Sequence, residues 1–214
     1  MTQPEQGNIG AWLHQVYQAD SEQALNDAYK GWASTYDLDS IRRGARQPAI
    51  VSGFAMKYLP ERSTTILDAG AGTGSIGELL AVFGFYELTA IDLCNEMLRV
   101  AEAKRIYTNL HAMTLGETLN LPTSAFGAVV SAGVFTPGHA GPESFTELTR
   151  VTKPGGYLIF SVQEGVYMDG GFKQAMTALE TADVWKQIES TEPFHLMSQE
   201  FSTAQARVFV FRRL

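Results

Sequence analysis

The chain has 214 residues, of which 45% are hydrophobic and 18% charged, with a net charge of −7 and a pI near 5.1. That composition suits an ordinary globular domain able to bury its own core without staples. An acidic chain without a Lys/Arg tract is a poor match for nucleic acid or an anionic membrane surface. One cysteine, Cys94, excludes an internal disulfide and fits a reducing compartment. The start, Met1 to Gly10, is polar and lacks the basic and apolar regions of an export signal. No window approaches the apolar length of a membrane span. The expectation is a soluble cytoplasmic protein, with its oligomeric state left open.

In chain order, Ala11–Ala19 and Ser21–Lys30 read as helices, the second with Ser21 as N-cap and Glu22 in its first turn. The aromatic stretch Tyr29, Trp32, Tyr36 follows. Gln47–Tyr58 reads as another helix, ended by Pro60. Residues 1–60 are thus expected to be a helical segment, too short for a rich core alone. The rhythm then changes. Thr64–Leu67, Leu88–Ile91, Leu110–Thr114, Phe126–Ser131 and Tyr157–Val162 read as strands. Between them, Ser75–Phe83, Asn95–Arg105 and Pro142–Val151 read as helices, the last with Pro near its start. This alternation predicts βαβ units and a parallel sheet. Phe172–Thr181 reads as a helix. Trp185–Ser190 and Arg207–Arg212 read as strands joined only by a loop, hence an antiparallel hairpin at the sheet edge. Val208 to Phe211 are apolar on both faces, as in a strand buried within a sheet.

The chemistry concentrates where the first strand meets its helix, in Asp68-Ala-Gly70-Ala-Gly72-Thr-Gly74. Glycines there allow a tight turn and close backbone approach to a ligand, at the carboxyl end of a parallel strand. Gly72, Gly74 and Gly77 also satisfy the G-x-G-x-x-G pattern of dinucleotide sites. Asp68 argues against that reading, because its carboxylate would face a pyrophosphate with the wrong sign. It suits a ligand that carries positive charge, such as the sulfonium and ammonium of S-adenosylmethionine. Asp92 ends the second strand, 18 residues after Gly74, where an acid can accept both hydrogen bonds of a ribose diol. The four histidines, His14, His111, His139 and His195, are scattered and no metal site is expected.

These residues resemble the class I S-adenosylmethionine-dependent methyltransferases over roughly Thr64 to Val162. The family's D-x-G-x-G-x-G appears as Asp68, Gly70, Gly72 and Gly74, and its ribose acid as Asp92. Leu93 stands at the usual apolar position against the adenine. Glu117 to Pro122 is similar to the acidic segment whose first two residues, here Glu117 and Thr118, contact the adenine. Val129-Val130-Ser131 matches the fourth strand, and Arg150 to Gly156 the L-R-V-L-K-P-G-G segment. A closer likeness is to the methyltransferase-like proteins of the Williams–Beuren region, through Trp32 to Asp37, Thr114 to Gly116 and Arg150 to Gly156.

The resemblance implies a three-layer α/β Rossmann-like sandwich in a single domain. Its sheet would be mostly parallel and seven-stranded, with one antiparallel strand near the C-terminus, and residues 1–60 would cap the cofactor site. It also implies S-adenosyl-L-methionine as cofactor and Tyr36, Met97 and Ser131 as further cofactor contacts; the acidic charge and the aromatic N-terminal segment suggest a small-molecule, partly apolar acceptor. His139, in the loop after the fourth strand, is the base to consider, although nothing near it in sequence orients it. Ser131 is equally readable as a buried serine bonded to backbone, Asp92 as a helix cap and Trp32 as packing. The family's fourth strand usually opens Phe-Asp, and here it opens Phe126-Gly127. Two rivals stand beside methyl transfer: a nicotinamide-dependent oxidoreductase and a non-catalytic cofactor-binding module.

Overall fold

The computed structural model describes residues 9–214. The polar start, in which no export signal is expected, lies almost wholly outside the described residues. Helices α1 (Ile9–Tyr17), α2 (Glu22–Trp32), α3 (Tyr36–Arg42) and α4 (Gln47–Tyr58) come first. Next are β1 (Ile66–Ala69), α5 (Ser75–Val82), β2 (Leu88–Asp92), α6 (Asn95–Ala103), β3 (Asn109–Ala112) and β4 (Phe126–Phe135). The chain continues through α7 (Ser144–Val151), β5 (Thr152–Gln163), α8 (Glu164–Asp169) and α9 (Phe172–Thr181). It ends with β6 (Trp185–Ser190), β7 (Phe194–His195) and β8 (Gln205–Arg213).

The sheet runs in the order β3-β2-β1-β4-β5-β8-β6. Pairs from β3 to β5 are parallel, whereas β8 is antiparallel to β5 on one side and to β6 on the other. One reversed strand near the C-terminus is therefore what the sheet contains. The two-residue β7 adds an eighth strand against the end of β8. The order places the last strand inside the sheet, and its apolar run Val208 to Phe211 is buried on both faces. The earlier strand β6 takes the edge.

Side-chain alternation along the strands builds a core on each face. Leu67, Val129, Leu158 and Phe160 point to one, where they meet Phe145 of α7 and Met176 of α9. Trp185 is fully buried there, stacked on Phe211 at 4.1 Å between ring centroids, with its indole N–H donating to the Met176 carbonyl at 3.1 Å. Ile66, Val130, Ile159 and Val210 point the other way, against Val51 and Ala55 of α4 and Leu80 of α5. Helices on both faces of one sheet make the three layers. Crossovers of this kind put the carboxyl ends of β1, β2 and β4 at one rim, and the glycine loop lies on that rim.

The N-terminal helices have their own small core, with Trp12 stacked on Trp32 at 6.1 Å. Ser21 caps α2 by accepting the Ala24 N–H at 3.2 Å. The buried carboxylate of Asp39 accepts the Trp32 indole N–H at 2.9 Å and the Thr35 hydroxyl at 3.0 Å. Asp37 docks this unit on the glycine loop. It accepts the Thr73 hydroxyl at 2.5 Å and pairs with Lys104 at 2.7 Å. No helix among the described residues is long and apolar enough to cross a membrane.

Candidate functional site

A cavity of about 290 Å³ opens above the rim. Its floor is Gly70 and Gly72 with Ala132 to Val134 of β4, and one end is Asp92, Leu93 and Met97. Tyr29 and Tyr36 reach it from α2 and α3, and His139 from the loop after β4. A second chamber of about 100 Å³ shares Tyr29, Tyr36, Gly72, Gly133 and His139 and extends past the head of α5 to Arg43, Leu196 and Met197.

The glycines divide their work. Gly70, at φ +75°, has no room for a side chain, since a Cβ would meet Val134 Cγ2 at 2.2 Å. Gly72, at φ +56°, faces open space and presents bare backbone to the cavity. Gly74 lines neither chamber; a Cβ there would meet the Tyr107 ring at 3.0 Å.

Asp92 accepts the Gly72 N–H through Oδ2 at 2.8 Å and the Cys94 N–H through Oδ1 at 2.9 Å. It therefore fixes the loop and the start of α6 while standing on the cavity wall. Burial raises its pKa, against the lowering effect of the Cys94, Gly72 and Leu93 N–H groups. Asp68 stands behind the loop instead. It is 2% exposed and lines neither chamber, so its influence on a ligand is through its field rather than by contact. Its Oδ2 accepts the Tyr107 hydroxyl at 2.6 Å, and Oδ1 has no well-formed partner among the described residues. Burial pushes this carboxyl up to about 7, opposed by the Tyr107 hydroxyl, with the Asp92 charge adding to the rise and the Gly77 N–H opposing it.

Of the other anticipated contacts, Tyr36, Leu93 and Met97 line the cavity. Ser131 is buried and donates to the Ala69 carbonyl at 2.7 Å, which is the structural alternative for it. Glu117 and Thr118 are exposed and outside both chambers, whereas Met113, Thr114 and Leu115 form that wall. The chain leaves the cavity at Gly116 (φ +100°), just before the segment expected to make the contact. Beyond Gly116 the chain is held from below. Arg150 donates to the carbonyls of Leu119 and Leu121, and Glu147 accepts the Leu119 N–H. Gly127 lines neither chamber, and its N–H is donated to Thr65 just before β1, so that departure does not touch the cavity.

His139 is oriented after all, by groups distant in sequence and near in space. Nδ1 lies 3.0 Å from the Pro137 carbonyl and 3.0 Å from the Thr136 hydroxyl, and Nε2 lies 2.8 Å from the Tyr29 hydroxyl. A carbonyl only accepts, so Nδ1 carries the proton and the Nε2 lone pair receives the Tyr29 O–H. Burial lowers the imidazole pKa and raises that of Tyr29 well above the ordinary tyrosine value, which keeps both groups neutral near pH 7.

Sequence reasoning missed three groups at the site: Tyr107, Arg43 and Tyr29 as the partner of His139. Tyr107 has a local signal in Gly77, where a Cβ would meet the Tyr107 hydroxyl at 2.3 Å. Arg43 is 7% exposed and packs over the rings of Trp32 and Tyr36 at 5.0 and 5.1 Å. Among the described residues no group of three or more His, Cys, Asp or Glu is placed to hold a metal ion.

The chamber fits an adenosyl ligand on its own chemistry. Apolar Leu93, Met97, Met113 and Leu115 suit a flat heterocycle, and Asp92 suits a diol. Asp92 suits the ribose of any adenosyl ligand, whereas Asp68, once ionised behind the loop, favours positive charge over a pyrophosphate.

Residues 67–160 match the family model of the methyltransferase domain. Methyltransferase-like protein 27 of Homo sapiens is 33% identical over 165 residues, which are 74% of this chain and 66% of that protein. A malonyl-[acyl-carrier protein] O-methyltransferase of Serratia marcescens is 30% identical over 172 residues, 79% of this chain and 60% of the relative. The chain thus spans a little under two thirds of the length of these curated relatives. The crystal structure of an S-adenosylmethionine dependent methyltransferase from Mesorhizobium loti superposes with a TM-score of 0.58 at 16% identity, covering 75% of this chain and 96% of that one. At that identity the likeness is one of fold.

Proposed function

Because the chain belongs to the class I S-adenosylmethionine-dependent methyltransferases, we propose that it moves a methyl group from that cofactor to a small-molecule acceptor. The observation that carries this reading is Asp92 on the cavity wall beside the bare backbone of Gly72, with apolar Leu93 and Met97 next to it. The cofactor, when bound, supplies an activated methyl on a sulfonium whose departure needs no acid. The protein's task is then to hold the reacting atoms ~3–3.5 Å apart and in line. Tyr36, Gly70, Gly72, Asp92, Leu93 and Met97 are the residues we assign to the cofactor, with Asp68 acting from behind the loop. Of the segment 1–60, helices α1 to α4 cap the site, and the chain acts as one domain.

A neutral His139 with its Nε2 lone pair facing Tyr29 is a proton acceptor for an acceptor hydroxyl or amine, once Tyr29 turns away or relays the proton. An acidic chain and an aromatic-walled cavity support a small, partly apolar acceptor over nucleic acid. The Serratia relative is named for a malonyl group on an acyl-carrier protein, a small group presented by a protein. Asp68 behind the loop weighs against the pyrophosphate of a nicotinamide cofactor. A cytoplasmic location is part of the same proposal.

The test is calorimetric titration of S-adenosylhomocysteine into wild type and Asp92→Ala, with circular dichroism as the folding control. Removing a charged acceptor of two hydrogen bonds should weaken binding at least ~100-fold. No binding by folded wild-type protein would remove the proposal.

A further inference from the structure

Arg43 is a buried cation without a counter-ion. It is 7% exposed, and among the described residues no carboxylate lies within 4 Å of it. The nearest acid in sequence, Asp39, pairs instead with Arg42 at 3.7 Å. Of its five N–H groups, two donate from Nη2, to the Tyr36 hydroxyl at 3.1 Å and the Ser40 hydroxyl at 3.0 Å. Nε is buried with no partner, and Nη1 donates to nothing among the described residues. A desolvated charge left this way is costly unless something pairs with it. Arg43 lines the second chamber together with Gly70, Ala71, Gly72 and Ser75, and that chamber shares Tyr36 and Gly72 with the first.

We propose that Arg43 is a carboxylate-binding group, held ready by Trp32 and Tyr36 and completed only when a ligand's carboxylate enters the second chamber. The free N–H groups of Arg43, at Nη1 and Nε, can give that anion charge-assisted hydrogen bonds. The proposal rests on the cofactor reading above. Because the glycine loop shares the chamber with Arg43, the geometry favours the amino-acid end of the adenosyl ligand as the source. An acid group on the acceptor has the same chemistry, and the experiment separates the two.

S-Adenosylhomocysteine and 5′-deoxy-5′-methylthioadenosine share the adenosine and thioether, but only the first has the amino acid. Both are titrated into wild type, Arg43→Gln and Arg43→Lys, with thermal melts as folding control. The expected result is about 10- to 100-fold weaker S-adenosylhomocysteine binding by Arg43→Gln. The methylthioadenosine affinity should stay within twofold, and Arg43→Lys should recover part of the loss. If S-adenosylhomocysteine is unaffected, benzoate and benzamide are titrated into the S-adenosylhomocysteine-saturated proteins. A preference for benzoate that Arg43→Gln erases assigns the carboxylate to the acceptor. Equal weakening of both adenosyl ligands overturns the proposal, because Arg43 would then be only a wall of the chamber. No change in any arm overturns it too. Wild type that binds neither adenosyl ligand removes the cofactor reading itself, and this inference with it.

Discussion

Asp68→Asn should stabilise the ligand-free protein at neutral and alkaline pH while weakening its hold on a cationic ligand. The folded protein keeps the Asp68 proton up to about 7, whereas the ordinary carboxyl value is 3.8. Between those values the folded state binds more protons than the unfolded state, so stability falls as pH rises through the interval and levels off above it. An interval of about 3 pH units corresponds to about 4 kcal/mol. The group is fully buried, so little of this is lost to solvent screening. Asparagine cannot ionise, yet its amide oxygen can still accept the Tyr107 hydroxyl. Urea unfolding of ligand-free wild type and variant from pH 4.5 to 8 would measure the effect as the growth of their stability difference with pH. Parallel profiles for the two proteins would refute the reasoning. At saturating S-adenosylmethionine the advantage should shrink, since positive charge favours the ionised aspartate.

The remaining expectations use the same geometry. Gly77→Ala should destabilise by about 1–3 kcal/mol, because its methyl would overlap the Tyr107 hydroxyl. Tyr107→Ala in the same chain should recover part of that loss, and additive effects in a double-mutant cycle would contradict the contact. His139→Gln should lower kcat by ~100-fold or more on an identified acceptor, with S-adenosylhomocysteine affinity little changed. The wild-type rate should fall only at a pH below the ordinary imidazole range, because burial lowers the His139 pKa. An unchanged kcat would remove His139 as the base.

The parts of the site legible in the sequence are those in which chemistry and chain neighbourhood coincide. Asp68 through Gly74 sits in one strand-turn-helix, and Asp92 closes the next strand, so their placement comes from alternation alone. The wall expected at Glu117 and Thr118, where Met113 to Leu115 line the cavity instead, shows the limit. A turn at Gly116 decides whether residues before or after it face the cavity, and strand patterning does not resolve that. Helix α3 is hidden among aromatic residues because Thr35 lends it no side-chain cap. The partnerships of His139 with Tyr29, 110 positions apart, and of Asp68 with Tyr107 are products of packing. So is the isolation of Arg43, since an absent counter-ion leaves no mark on a one-dimensional pattern.

Helices α2 and α3 supply Tyr29 and Tyr36 to both chambers, while the sheet supplies the opposite wall. The binding pocket therefore exists only while those helices are docked, and any ligand in it acts as a clamp between two parts of the chain. By mass action, ligand at 100 times its Kd adds about 2.7 kcal/mol against their departure. Amide hydrogen exchange should register this selectively: slower exchange through α2 and α3 on ligand addition, and little change in β8.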